Sequence, residues 1–272
     1  MGEPFNAIGF HVPDEPAYQA LAEQAHQQGV STKLQRAETT LHGYCWQLGD
    51  GLELWAMLHQ SGEGTFFVDC RPAFRARHLF RLHPWEISEY ERDGEALVTG
   101  TADDTGQELI FELQNMTEMP PENLKDNLLM AAIGGLAYRV RVLSQPDTAT
   151  GKGKAAAPPE HAFALTRSVS PRRRAADSDY SVTGQVLEFK RMRNEHTQTD
   201  LFWIHADFQK VRLELIVNAA SVRGELRRGA WISAELWLQG HVLSQKELQS
   251  RYEGIDAEFS PGDYWLALRR EN

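Results

Sequence analysis

Ten histidines and 38 carboxylates are the raw material this chain has for metal binding or acid–base chemistry. His11, His42, Glu53 and His59 fall on neighbouring expected strands, and a His/Glu trio about 2 Å from an ion is a common metal site. No short fixed spacing such as H-E-x-x-H ties these four together. They are therefore expected to be surface or hydrogen-bonded residues rather than ligands. The carboxylates cluster at Asp103 and Asp104 and along Glu86, Glu89, Glu91, Asp93 and Glu95. General acid–base work needs two carboxyls in different environments, and these look alike, so a solvated acidic hairpin is expected. Cys45 and Cys70 sit in apolar, strand-like stretches and are expected to be buried free thiols. No nucleophile elbow, Walker loop, dinucleotide fingerprint or C-x-x-C pair is present. The expectation is no catalytic residue, no metal and no cofactor.

The second half offers different chemistry. Strand alternation places Phe202, Ile204 and Ala206 on one side with Val211, Leu213, Leu215 and Val217, and continues that interior through Ile232, Ala234, Leu236 and Leu238. The opposite side then carries Trp203, His205 and Arg212, with Trp231 and Trp237 further round. Three tryptophans, a histidine and an arginine on one face suit stacking on a ring, anchoring a partner protein, or packing under the rest of the chain. Those five residues are the expected ligand- or partner-binding set. Lys190, Arg191 and Arg193 in the adjoining loop, beside His196, are the candidate phosphate contacts.

Elements that would hold these residues are legible from periodicity. Phe5 to Val12 alternates like a strand, after which Asp14 and Pro16 supply helix-start chemistry for an apolar face of Ala17, Tyr18, Leu21, Ala22 and Ala25, closed by Gly29. Strands are expected at 42–48, 52–59, 65–70, 78–82, 96–101 and 108–113, with Gly49-Asp50-Gly51 and Asp103 to Gly106 as hairpin turns. Residues 121–143 read two ways: a Pro-Glu start favours helix to about Ala132, while Tyr138 to Leu143 alternates like a strand. The interval 147–177 is rich in Gly, Ala, Pro and Ser, with a basic run Arg172 to Arg174, and is expected to be a linker. Beyond it lie strands at 180–192, 201–208, 211–217, 230–243 and 264–269, with a helical turn around Asn218 to Arg223. The domain expectation is 1–146, a linker at 147–177, and 178–272.

Five strands, the first long, with a short helix between the third and fourth, resemble an OB-fold, as does the phrase from Arg228 to Gly240 that rises from a glycine turn. Residues 5–59, read as AIGFHVPDEPAYQALAEQAHQQG followed by GYCWQLGDGLELWAML, more weakly resemble a vicinal-oxygen-chelate module of the glyoxalase kind. That resemblance implies a metal-ligand His on the first strand, where this chain has Ala7, and matches the family's Glu to Glu53. The whole chain is similar to a group of bacterial two-domain proteins without an assigned function that share G-x-E-L-W and a C-terminal OB-like part. The resulting fold class is an α+β N-terminal domain, mostly antiparallel sheet with one or two helices, plus an all-β, OB-like five-stranded barrel.

Charge narrows the partners. Residues 1–146 carry 10 Lys/Arg against 21 Asp/Glu, 147–177 are net +3 and 178–272 net -2, within an overall -10. Duplex DNA carries one negative charge per ~1.7 Å, so an acidic half and a near-neutral half disfavour a protein that tracks nucleic acid. No apolar run reaches membrane-span length and the N-terminus lacks a secretory pattern, so a cytoplasmic, non-membrane protein is expected. The function expected is non-enzymatic binding of a protein partner or ligand through the outer face of the barrel. The alternatives are a metal-dependent enzyme of the vicinal-oxygen-chelate type in the first domain, and single-stranded nucleic-acid binding through the barrel.

Overall fold

The computed structural model describes residues 2–90, 94–119, 124, 128–143, 159–166 and 178–244. The chain is mostly β. Helix α1 (Glu3–Ala7) and helix α2 (Glu15–Gln28) precede β1 (Val30–Gln35), β2 (Thr40–Gly49), β3 (Leu52–Ser61) and β4 (Gly64–Phe74), which form an antiparallel sheet in sequence order. As the sequence implies, Asp14 caps α2, its carboxylate accepting the Ala17 amide at 2.9 Å, and Leu21, Ala22 and Ala25 are buried. The β2–β3 turn runs through Gly49, Asp50 and Gly51 at φ 92°, 50° and 80°, a left-handed path that glycine and aspartate tolerate.

The expected strand at Phe5 to Val12 is instead α1 followed by an irregular segment. Pro4 stands in the first turn, and Gly9 turns the chain at φ 91°. Ala7 to Phe10 are buried in succession, which strand alternation forbids, and the carbonyls of Ile8 and Gly9 are met by side chains rather than by a ladder. Asn194 Nδ2 donates to the Ile8 carbonyl at 2.7 Å and Thr199 Oγ1 to that of Gly9 at 3.0 Å. The chain therefore runs α-α-β-β-β-β, not the β-α-β-β-β of a vicinal-oxygen-chelate module.

The second, ten-stranded sheet contains β5 (Leu79–Tyr90), β6 (Glu95–Ala102), β7 (Glu108–Leu113), β8 (Leu129–Leu143), β9 (Ala162–Leu165), β10 (Asp179–Arg193), β11 (Asp200–Asp207), β12 (Arg212–Asn218), β13 (Val222–Arg223) and β14 (Trp231–Val242). A 3-10 turn at Ala219–Ser221 precedes β13, where a helical turn was expected. Pairings β10–β11, β11–β12, β12–β8, β8–β14 and β14–β10 lead back to the first strand. Strand β8 comes from the first half of the chain and stands between β12 and β14. The expected fifth strand at 264–269 lies outside the described residues. The interval expected to be a linker contributes β9, paired with β10; 144–158 and 167–177 lie outside the described residues.

Residues 129–132, read from sequence as helix, are strand, because Leu79 to Leu82 of β5 pair with them. β8 is crowded on both faces, which explains its run of small residues. A Cβ at Gly134 would lie 2.9 Å from the Phe74 ring and one at Gly135 2.8 Å from the Leu215 side chain. Two apolar clusters result. The first gathers the inward residues expected of the second half, Ile204, Leu213, Leu215, Ile232 and Leu236 among them, together with Trp55, Met57 and Phe111 of the first half. The second joins α1 and α2 to Leu54, Phe74, Leu201, Ile216 and Trp237. Both halves thus bury their apolar surface in common.

Candidate anion-binding cleft

The expected binding face of β11 and β12 is largely closed by the chain itself. Glu214, 3 % exposed, accepts the backbone amides of Arg77 at 2.8 Å and His78 at 2.6 Å and the Trp203 indole N–H at 2.7 Å. Opposite it in the ladder, His205 is 8 % exposed and 6.2 Å from the His78 ring, with its Nε2 unpartnered. Burial, then the neighbouring His78, hold the His205 imidazole below its ordinary pKa. Trp237 is 1 % exposed and belongs to the second core, so the expectation that it faces a ligand is corrected. Its side chain keeps the outward side that alternation gives it, on one rung with Leu136, Ile216 and Trp203, and is buried because the second core, which includes residues of α1 and α2, gathers on that side. Arg212 is exposed and 3.8 Å from Asp207. Trp231 lies on another part of the surface, its ring 4.6 Å from that of His161. Register keeps all five on the outward side of the ladder, but Trp237 and His205 are buried there and Trp231 lies further along, so they do not form one open surface.

The candidate phosphate contacts are solvated. Arg191 pairs with Asp200 at 2.6 Å, Arg193 donates to the Gln198 carbonyl at 3.0 Å, and Lys190 stands opposite Trp203 in the ladder. Of the metal candidates, His42 points with Tyr44 and Trp46 to one face of the small sheet, whereas Glu53 points with Trp55 to the other. Glu53 is spent on Arg75 at 3.0 Å and on the Trp55 indole N–H at 2.9 Å. His59 shares the Glu53 side but is six residues further along β3, and His11 lies off the sheet. In the acidic stretch Glu89 pairs with Arg36 at 2.5 Å, while Asp103 accepts from Arg81 at 3.1 Å and His83 at 3.0 Å. Both cysteines are buried and free, and burial pushes their thiols well above the ordinary range, which removes nucleophilic character.

The chemistry the sequence reading missed lies on the outer side of β8, β13 and β14. There a cleft of about 610 Å³ is lined by Glu3, Tyr138, Arg139, Arg141, Ser221, Arg223, Ser233 and Glu235 with neighbouring backbone. Register decides the arrangement. Thr183 of β10 is paired with Ser233 of β14, Ser233 with Arg141 of β8, and Arg141 with Arg223 of β13. Directly opposed residues project to the same side, so two hydroxyls and two guanidiniums share one rung across four strands. On the next outward rung along β8 and β14, Arg139 pairs with Glu235. On the other side, Trp231 stands between Leu143 and Gln185. Among the described residues, neither Arg141 nor Arg223 has a carboxylate within salt-bridge distance; Glu3 stands among the lining residues.

A signal for this cleft was present in Tyr138 to Leu143, where alternate arginines at 139 and 141 flank inward Val140. Its other wall, Arg223, comes from more than eighty residues away, and no local pattern joins the two. Residues 171–240, which include all of β10 to β13 and most of β14, match a family model described as a domain of unknown function with an E. rectale gene description (DUF3881). No curated protein and no solved structure matches the chain.

Proposed function

We propose that the protein is a non-enzymatic binding protein, that the five-strand circuit of pairings is an OB-like barrel, and that an anionic ligand seats in the cleft between β8, β13 and β14. The observation that carries this reading is Arg141 directly opposite Arg223. Like charges at facing positions of a ladder destabilise it, and an anion between them reverses the sign of that interaction. The cleft's size supports a small-molecule site, since such sites span roughly 300–1,000 Å³. With Arg139 held by Glu235, the local balance is positive on a chain of net charge -10. The β11–β12 face supports an external partner less well, because its carboxylate and indole already bond to each other and to residues 77 and 78.

The test is calorimetric titration of the full chain with inorganic pyrophosphate at low and at physiological salt. Binding that weakens roughly tenfold or more on Arg223→Gln, with the melting temperature kept, is the expected result; two charged hydrogen bonds at ~1.5–3 kcal/mol each allow that much. Equal binding by the variant would refute the site.

A further inference from the structure

We infer that the ligand of this cleft is a nucleoside diphosphate, its phosphates lying along the rung Arg223, Arg141, Ser233 and its base against Trp231; this rests on the anion-binding reading above. The argument is one of spacing. Adjacent strands lie about 4.8 Å apart, so the two guanidiniums spring from neighbouring strands at the separation of two donors to a single phosphate. The Ser233 hydroxyl extends the same rung by one strand and Thr183 by a second, which gives a second phosphate its own neutral donors. Trp231 is two residues from Ser233 on the same side of β14, about 6.7 Å along the strand. Trp231 stands outside the residues that line the cleft, its ring against His161 at 4.6 Å, where a base carried past Ser233 would meet it.

Features around the rung favour one nucleotide over a strand. Glu235 and Glu3 stand where a further phosphate would have to pass on the Arg139 side. The acidic first half, net -11, repels a long polyanion. A ligand with two phosphates and one ring uses all the donors without meeting those carboxylates.

The experiment compares adenosine diphosphate, pyrophosphate, adenosine and a ten-residue oligothymidylate by calorimetry on the full chain and on Arg223→Gln and Trp231→Leu. Adenosine diphosphate should bind at least ~5-fold more tightly than pyrophosphate, the lower end of a stacking contribution. Trp231→Leu should abolish that difference and leave pyrophosphate unchanged, whereas Arg223→Gln should weaken both. Pyrophosphate binding that depends on Arg223 but gains nothing from the nucleoside would overturn this inference and leave the anion site standing. Tighter binding of the oligomer than of the diphosphate would also overturn it, in favour of a polynucleotide. No binding by any of the three phosphate compounds would remove both readings. The first comparison needs only the wild-type chain, so a variant that fails to fold does not leave the question open.

Discussion

Two outward surfaces of the same ladder, one on β11 and β12 and the other on β8, β13 and β14, have similar composition and opposite states. The first carries Trp203, His205 and Glu214, and every strong hydrogen-bonding group but the His205 Nε2 is consumed within the chain. The second carries Trp231, Arg141, Arg223 and Ser233, and its central cations face one another. A list of aromatic and charged residues does not separate a docking seam from a ligand cleft. What separates them is where the counter-charges go.

Breaking the seam should cost most. Glu214→Ala removes a buried carboxylate and leaves two part-buried backbone amides and a part-buried indole N–H without their acceptor, and denaturant unfolding should show a loss of roughly 2–4 kcal/mol. Trp203→Phe keeps an aromatic side chain but removes the pyrrole part of the indole together with its bond to Glu214, so a loss of about 1–3 kcal/mol is expected, with ligand binding at the Arg141 cleft unchanged. A larger effect on binding than on stability would return the β11–β12 face to candidacy.

The seam should also respond to acid. His205 has a folded pKa below its unfolded value, so between the two the unfolded chain binds more protons and stability rises with pH. The stabilisation is complete above the ordinary histidine value near ~6.5 and is lost as pH falls through that value towards the folded one. Urea midpoints at pH 7.5 and 5.5 should therefore differ more for wild type than for His205→Gln. An equal difference would mean that other groups set the acid response.

The smallest effect belongs to the open surface. Arg141→Gln removes one of two facing like charges, so stability should stay within ~0.5 kcal/mol of wild type or rise slightly, while anion binding falls. A loss above ~1 kcal/mol would show that Arg141 serves the fold, and the contrast between the two surfaces would fail.

Elements with strong local signals were legible. The capped helix α2, the Gly49 to Gly51 turn and the alternation of Leu213, Leu215 and Val217 rest on neighbours within a few residues, and periodicity reports such neighbours directly. Phe5 to Val12 misled because its apolar spacing is served by Gly9 and by side-chain donors from residues 194 and 199, far along the chain. Trp237 misled because alternation gives the side a residue faces but not what covers that side, and here the second core, with residues of α1 and α2, lies over it.

The chain alone determined which residues alternate, where α2 is capped, that the thiols sit in apolar strands, and that its net charge is -10. Only the tertiary structure decided that β8 of the first half pairs with β12 and β14 of the second, that Glu214 holds residues 77 and 78, and that Arg141 faces Arg223. The reason is physical. Backbone preference and amphipathic period act over a few residues, but the sign of a site depends on which charges are brought opposite each other, and strand pairing sets that across the whole length of the chain.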